Sequence, residues 1–161
     1  MMIRLILAAL LIAALPAVSE LVAGERKPTG LWLTEKQGLI VDIYECGEGR
    51  LCGRTVWMKK MVGKDGAPRL DVKNPDPALR ERHWCGIEVI TGLAEKDGRW
   101  TGGKVYDPKT GQTFDFELNP AGERLEARGY LGVPLLGKTE VWTRAEPEGL
   151  ALCYDSDQKG A

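Results

Sequence analysis

The chain has 161 residues, with 22 Lys and Arg against 23 Asp and Glu, and a formal net charge of −1. This length suits one domain with a single hydrophobic core. The positive residues form no basic stripe, and phosphate binding needs clustered cations, so nucleic acid is excluded as an expected partner.

The first 19 residues have the organisation of a cleaved signal peptide. Arg4 precedes an unbroken apolar run over residues 5–15, and small residues lead up to Ser19. A membrane-spanning helix needs about 20 apolar residues, so this run is too short to span. We expect cleavage after Ser19, or alternatively after Ala23, and a soluble exported product without stable membrane insertion.

The exported part of the chain is rich in short segments of strand character. We expect an N-terminal extension over 20–29, a β-barrel domain over 30–145 and a C-terminal tail over 146–161. Turn sequences separate stretches in which apolar and polar residues alternate, which predicts strands. Eight strands are predicted, over residues 30–35, 39–46, 51–58, 86–93, 99–106, 113–118, 125–130 and 138–144. Eight strands at this spacing favour an all-β fold, either an antiparallel up-and-down barrel or a sandwich.

The four cysteines are Cys46, Cys52, Cys85 and Cys153. Export makes disulfides possible, and four cysteines allow three pairings. The sequence between Cys46 and Cys52 is symmetric about Gly49, and a hairpin with a three-residue loop there would place the two cysteines opposite each other, within disulfide range. Cys85–Cys153 then follows by elimination and would tie the tail to the barrel, with free thiols or a metal site as the alternatives.

The connection over residues 59–84, here called the flap, is long, charged and proline-containing. Residues 76–82 predict one short helix, with Asp76 as N-cap and Pro77 at the first helical position. Connections of this length are usually a lid, a binding loop or a segment packed on the barrel, and all three remain open.

Residues 132–139 match the phosphate-binding pattern G-x-x-x-x-G-K-[ST]. That pattern works where a strand leads into a helix whose N-terminus faces the phosphates. Here residues 140–144 predict a strand, so we interpret the two glycines and Pro134 as turn residues.

Catalytic chemistry finds little support in the residues. His83 is the only histidine, and no catalytic residue, metal or cofactor is predicted. A cluster of oxygen ligands for Ca²⁺ could be built from Asp71, Asn74, Asp76 and Asp107. Since each lies in an ordinary turn sequence, the turn interpretation is favoured.

The first and last predicted strands carry a candidate closure pair. Trp32 lies on the first strand and Arg144 ends the last. In a closed barrel these strands are neighbours, so Trp32 can fill the base while Arg144 stacks on its ring, a contact worth about 0.5–2 kcal/mol.

These residues carry two family resemblances. Gly30-x-Trp32 with Arg144 on the last strand resembles the signature of the lipocalin-like, or calycin, barrels. A second resemblance covers most of the exported chain to Arg144 and is to the bacterial exported family called domain of unknown function 2147. Its segments are Gly30-x-Trp32, Cys46-Gly-x-Gly-x-Leu-Cys52-Gly53-Arg54, Asp71-x-x-Asn74-Pro75-Asp76-Pro77, Trp100-x-Gly-Gly103-x-x-Tyr106-Asp107-Pro108-x-x-Gly111, Leu125-x-x-Arg128-Gly129-Tyr130 and Gly137-Lys138-Thr139-x-x-Trp142-x-Arg144.

The resemblance implies an eight-stranded antiparallel up-and-down lipocalin-like barrel and a periplasmic or secreted location. It carries no activity and no catalytic residues that could be transferred. Position 153 lies beyond it, so it gives the Cys85–Cys153 pairing no support.

Three functions of different classes are compatible with such a barrel. The first is binding of a small, largely apolar ligand in the interior, with Trp57, Trp100, Tyr106 and Tyr130 as candidate liners. For the hairpin over 39–58, the interior face is expected to carry Val41, Ile43 and Trp57. The second is an envelope protein-interaction or stress and maintenance module with a filled barrel. The third is a hydrolase, which requires the carboxylates near Asp71 and Asp107 to converge in a cleft.

Overall fold

The computed structural model describes residues 27–153. The expected signal peptide, its two candidate cleavage sites and the tail after Cys153 lie outside the described residues. Within residues 27–153, no helix is long and apolar enough to cross a membrane.

Eight antiparallel strands close into one barrel in chain order, which confirms the predicted fold class. Each strand pairs with its neighbour in the chain, and β1 pairs with β8 to complete the circle. The strands are β1 Gly30–Leu33, β2 Leu39–Gly47, β3 Arg50–Met58, β4 Glu88–Lys96, β5 Arg99–Asp107, β6 Gln112–Ala121, β7 Arg124–Tyr130 and β8 Lys138–Arg144.

The first strand ends two residues earlier than predicted. The hydroxyl of Thr34 accepts a hydrogen bond from the backbone N–H of Leu39 at 3.3 Å. Gln37 adopts a φ of 49°, which turns the chain sharply towards β2. The backbone N–H of Thr34 also donates to the Leu39 carbonyl at 3.0 Å, so Thr34 and Leu39 close the hairpin and the strand ends there.

Because consecutive strands run in opposite directions, successive loops lie alternately at the two ends of the barrel. The mouth end carries the flap and the connections over 34–38, 108–111 and 131–137. The closed end carries the turns 48–49, 97–98 and 122–123. Each end is therefore built from loops that are distant in sequence.

The hairpin of β2 and β3 turns differently from the prediction. The turn has two residues, 48–49, both at positive φ, as tight hairpins require. Cys46 is the extra residue of a β-bulge, so Cys52 lies opposite Tyr44 and the predicted three-residue loop is wrong. Cys46 and Cys52 are nevertheless disulfide-bonded, with their Cα atoms 5.7 Å apart.

The predicted helix in the flap is only a 3₁₀ turn, Pro77–Leu79. The Asp76 carboxylate caps it by accepting the backbone N–H of Ala78 at 2.9 Å. The chain then turns back, and the Arg82 carbonyl accepts the backbone N–H of Asp71 at 3.0 Å. This pairing draws the chain off a helical path.

The closed end of the barrel is packed solid. Its side chains are at most 6% exposed: Trp32, Leu51, Leu93, Trp100, Leu118 and Leu125. The guanidinium of Arg144 lies 4.0 Å from the centre of the Trp32 ring and donates to the Thr29 carbonyl at 2.6 Å. Gly30 has a φ of 101°, and a Cβ there would lie 3.1 Å from Arg144, so a glycine suits this corner.

A second, smaller apolar cluster lies outside the barrel wall. Ile40 on β2 and Val56 on β3 are buried against Leu152 of the C-terminal tail. The tail is held there by a disulfide between Cys153 and Cys85, whose Cα atoms are 5.6 Å apart. Residues 146–153 of the tail thus run across the outside of the barrel and are covalently joined to the chain just after the flap.

Candidate functional site

A cavity of about 500 Å³ occupies the barrel interior towards the mouth end. Ligand pockets in proteins commonly have volumes of about 300–1,000 Å³. The apolar part of its wall is formed by Val41, Ile90, Val105, Phe114, Phe116, Ala127, Trp142 and the rim residues Leu39, Met58 and Trp84. Its volume therefore falls within the range found for small-molecule pockets.

Strand alternation places these side chains. On β6, Phe114 and Phe116 both line the cavity and Leu118 lies below them in the packed end. On β7, Ala127 and Gly129 line the wall beside them. A Cβ at Gly129 would lie 3.9 Å from its nearest neighbours, so the cavity persists because small residues stand where larger ones could fill it.

Charged groups surround the opening of the cavity. Lys138 donates to Glu140 at 3.1 Å, and both line the mouth with Asp107 and Lys109. The hydrogen bond to Glu140 is the main reason why the pKa of Lys138 is raised. The cavity is therefore apolar in its depth and charged at its entrance.

Two indole N–H groups in the cavity wall lack an acceptor. Among the described residues, Nε1 of Trp84 and Nε1 of Trp142 are buried side-chain donors without a hydrogen-bond partner. Both residues line the cavity. An unpartnered buried donor costs about 1–3 kcal/mol, so these groups favour an acceptor packed against them.

The flap is fixed to the barrel through the carboxylate of Asp71, which is fully buried. Tyr106 on β5 donates its hydroxyl to Asp71 Oδ1 at 2.5 Å. Within the flap, Asn74 Nδ2 donates to Asp71 Oδ2 at 2.8 Å and Arg82 Nε donates to it at 3.0 Å. Burial first, and then the bond to Asp71, raises the pKa of Tyr106 to about 12. The flap is thereby packed beside the mouth.

A glycine allows the turn between β5 and β6 to pack closely against the flap. Gly111 in the β5–β6 connection has a φ of 76°, and a Cβ there would lie 2.2 Å from the Lys73 carbonyl of the flap. Any side chain would push the two segments apart. The sequence segments around Asp71 and Gly111, which are distant in the chain, therefore meet at one contact.

The predicted ligand-binding aromatics are dispersed in the structure. Tyr106 borders the cavity at the rim. Trp100 is buried in the packed core of the barrel. Trp57 and Tyr130 are absent from the cavity wall, and Trp57 packs on the outer cluster with Ile40.

The prediction for the interior face of the first hairpin is correct for two residues and wrong for the third. Val41 and Ile43 belong to the interior core. A bulge at Val56 places Trp57 opposite Ile40, so the side chain of Trp57 lies on the outer face. A bulge changes which face the following residues occupy, and nothing in the local sequence marks it.

Other aromatic liners were missed by the sequence interpretation. Phe114 and Phe116 alternate with charged residues, so the pattern already indicated that they share a buried face. On β7, Leu125 and Ala127 share the interior face because residues two apart in a strand point the same way. The same alternation would have placed Tyr130 on the outer face. Trp84 carries no such signal, since it lies in irregular structure.

The carboxylates proposed for a hydrolase do not form an acid–base pair. Asp71 is fully engaged by the flap contacts, while Asp107 accepts the Lys109 backbone N–H and the Thr110 hydroxyl within its own turn, each at 2.9 Å. Asp107 therefore acts as a turn residue, whereas Asp71 and Asn74 also join the flap to Tyr106 of β5. Among residues 27–153, no three His, Cys, Asp or Glu side chains are placed to hold a metal ion.

Residues 30–144 match the model of a family described as "Uncharacterized protein conserved in bacteria (DUF2147)". Among solved structures, the chain is similar to one described as "Protein HP1028 from the human pathogen Helicobacter pylori belongs to the lipocalin family". The TM-score is 0.66 at 23% identity, with 78% of this chain and 90% of that chain covered. At this identity the likeness shows the fold alone. No curated protein matches the chain.

Proposed function

We propose that this chain, which belongs to the bacterial family DUF2147, binds a small, largely apolar ligand inside its lipocalin-like barrel. The observation that carries the proposal is the cavity of about 500 Å³ at the mouth end. An eight-stranded barrel is just wide enough either to be filled by its own side chains or to hold one small ligand. The small residues Ala127 and Gly129 in the wall support the second outcome.

The distribution of polarity along the cavity supports an amphiphilic ligand. An apolar body would pack against Phe114, Phe116 and Ile90, which are far less polar than the entrance. A polar or anionic end would lie between Lys109 and Lys138. An acceptor atom along the body would give the N–H of Trp142 a partner.

We also infer that the protein acts in the periplasm or outside the cell. The N-terminal segment over 1–19 has the pattern of a signal peptide. All four cysteines are paired, and such bonds persist in oxidising compartments. Both observations are independent of what the cavity holds.

The proposal can be tested with N-phenyl-1-naphthylamine, a neutral apolar probe that fluoresces when it leaves water. Gly129→Val adds an isopropyl group inside the cavity, and we expect it to weaken probe binding by roughly ten-fold, since a filled pocket loses its apolar contacts. Gly38→Val is the matched control, because a Cβ at Gly38 meets nothing within 4 Å. It should bind the probe as the unchanged protein does.

A second measurement addresses the natural ligand. Protein purified under native conditions from its own host should carry an additional small-molecule mass in native mass spectrometry, and that mass should be lost in Gly129→Val. Absence of any bound molecule, together with probe binding that Gly129→Val leaves unchanged, would overturn the proposal. Circular dichroism of both variants checks that the barrel is intact.

A further inference from the structure

The loop between β7 and β8 exposes a group of aliphatic side chains. In residues 131–137, here called the apolar loop, Leu131 and Val133 are 61% and 53% exposed, and Leu135 and Leu136 are 86% and 80% exposed. No charged residue occurs in the loop. Clustered exposed apolar groups of this kind usually mark an interaction surface.

The apolar loop is held in place by the barrel wall. Arg128 on β7 donates from Nε to the Pro134 carbonyl at 3.0 Å and from Nη1 to the Thr139 hydroxyl at 2.6 Å. Residues Pro134–Leu136 form a 3₁₀ turn. The leucines are therefore presented by an ordered turn that projects from the mouth end.

Charge is distributed unevenly between the two ends of the barrel. The mouth-end connections, over 34–38, 59–87, 108–111 and 131–137, contain nine Lys and Arg against five Asp and Glu. The three turns at the closed end contain the carboxylates of Glu48, Asp97 and Glu123 and no basic residue. The connections at the end that exposes the leucines thus carry a net positive charge, whereas the turns at the closed end carry a net negative charge.

We propose that the mouth end docks on an anionic lipid bilayer, with the apolar loop inserted among the head groups and the flap lysines against them. Aliphatic side chains flanked by lysine suit a membrane interface, where burial of apolar area and attraction to anionic lipid add together. A protein partner is disfavoured, because energetically important protein contacts are enriched in Trp, Tyr and Arg, and the apolar loop has none of these. Docking in this orientation turns the cavity opening towards the lipid. The inference goes beyond ligand binding and does not depend on it.

Co-sedimentation with vesicles tests the docking proposal. We expect the protein to bind vesicles of phosphatidylglycerol and phosphatidylethanolamine, to bind vesicles of phosphatidylcholine weakly, and to be released as salt is raised. The double variant Leu135→Ser/Leu136→Ser should lose binding by roughly five-fold or more, because its inserted groups become polar.

Two charge-reversal variants show whether vesicle binding depends on where the basic residues lie or only on the net charge of the protein. Lys60→Glu/Lys64→Glu changes the mouth end, and Lys96→Glu/Arg99→Glu makes the same change in net charge at the closed end. Only the first should weaken vesicle binding. Equal effects of the two reversals, failure of the unchanged protein to bind anionic vesicles, or retention of a protein partner without vesicle binding would each overturn the proposal. The serine variant should still bind N-phenyl-1-naphthylamine, so failure of docking and failure of ligand binding give different results.

Discussion

Tyr106 is the residue through which the barrel wall holds the flap. Its hydroxyl reaches a carboxylate that no solvent touches, since Asp71 is fully buried. Arg82 pairs with the same carboxylate at 2.9 Å and lies over the Tyr106 ring at 5.7 Å. A buried carboxylate that loses a donor has no water to replace it, so this contact is sensitive to single substitutions.

Tyr106→Phe should lower the free energy of unfolding by about 1–3 kcal/mol, because it leaves a buried acceptor with one donor fewer. Tyr44→Phe is a matched control. Tyr44 donates to Glu88 at the same 2.5 Å, but on the exposed outer face of the barrel. Tyr44→Phe should lower the free energy of unfolding by less than about 0.5 kcal/mol, since water can replace the lost hydrogen bond to Glu88. Urea unfolding at neutral pH measures both, and equal losses would contradict the role given to Asp71.

Alkaline pH should weaken the same contact. Burial first, and then the hydrogen bond to Asp71, raises the pKa of Tyr106 to about 12 from 10. A pKa raised by folding contributes stability that is fully present below pH 10 and is lost as the pH rises through 12. Unfolding free energies measured between pH 9 and 12 should fall less steeply in Tyr106→Phe than in the unchanged protein. Parallel curves would contradict this assignment.

At the scale of strands, alternation in the sequence predicted most of the barrel. The charged residues between Phe114 and Leu118 marked a sheet with one buried face, and glycine-containing turns marked the strand ends. Register could not be predicted where bulges intervene. The extra residues at Cys46 and Val56 change the pairing of the first hairpin, and bulges depend on how the strands curve to close the barrel.

The cavity was harder to predict than the strands. Its volume depends on side chains from many strands together, so no local pattern reveals it. Ala127 and Gly129 leave space only because Phe114 and Val105 do not fill it. The flap was recognisable as an unusual connection, but its contact with Tyr106 joins segments 35 residues apart and required the folded barrel.

The two disulfides should contribute unequally to stability. In the chain-entropy description, a cross-link stabilises more as the loop that it closes becomes longer. Cys85 and Cys153 are 68 residues apart, whereas Cys46 and Cys52 are six apart. Replacing Cys85 and Cys153 by serine should lower the free energy of unfolding by about 4 kcal/mol, and replacing Cys46 and Cys52 should lower it by about 2 kcal/mol. Urea unfolding of the two double variants compares them, and the reverse order would indicate that the tail contributes little to the fold.

For the molecule as a whole, the seam between β1 and β8 is the weakest part of the barrel wall. Only two residue pairs join these strands, whereas β6 and β7 share seven. Arg144 strengthens the seam by stacking on Trp32 and by holding the Thr29 carbonyl. Arg144 therefore supplements a short ladder, which the backbone N–H of Ala145 extends by donating to the Leu31 carbonyl at 3.0 Å.

Arg144→Ala should cost about 1–2 kcal/mol, from the lost stacking and hydrogen bond together. It should also speed hydrogen exchange in β1 and β8 ahead of the other strands. Arg54→Ala is the control. Arg54 lies 5.1 Å from the Tyr44 ring and pairs with Asp42 on the exposed surface, and its loss should stay below about 1 kcal/mol. If hydrogen exchange in Arg144→Ala became faster by the same factor in all eight strands, Arg144 would not be strengthening the seam between β1 and β8 in particular.

The bond between Cys85 and Cys153 makes the chain from 85 to 153 a covalent ring that contains strands β4 to β8. The apolar loop over 131–137 lies within this ring. A protease that cuts a peptide bond there creates two new chain ends but releases no fragment, because the disulfide still joins both sides of the cut. A nicked molecule keeps all eight strands in one covalent unit, and the cut becomes visible only after reduction.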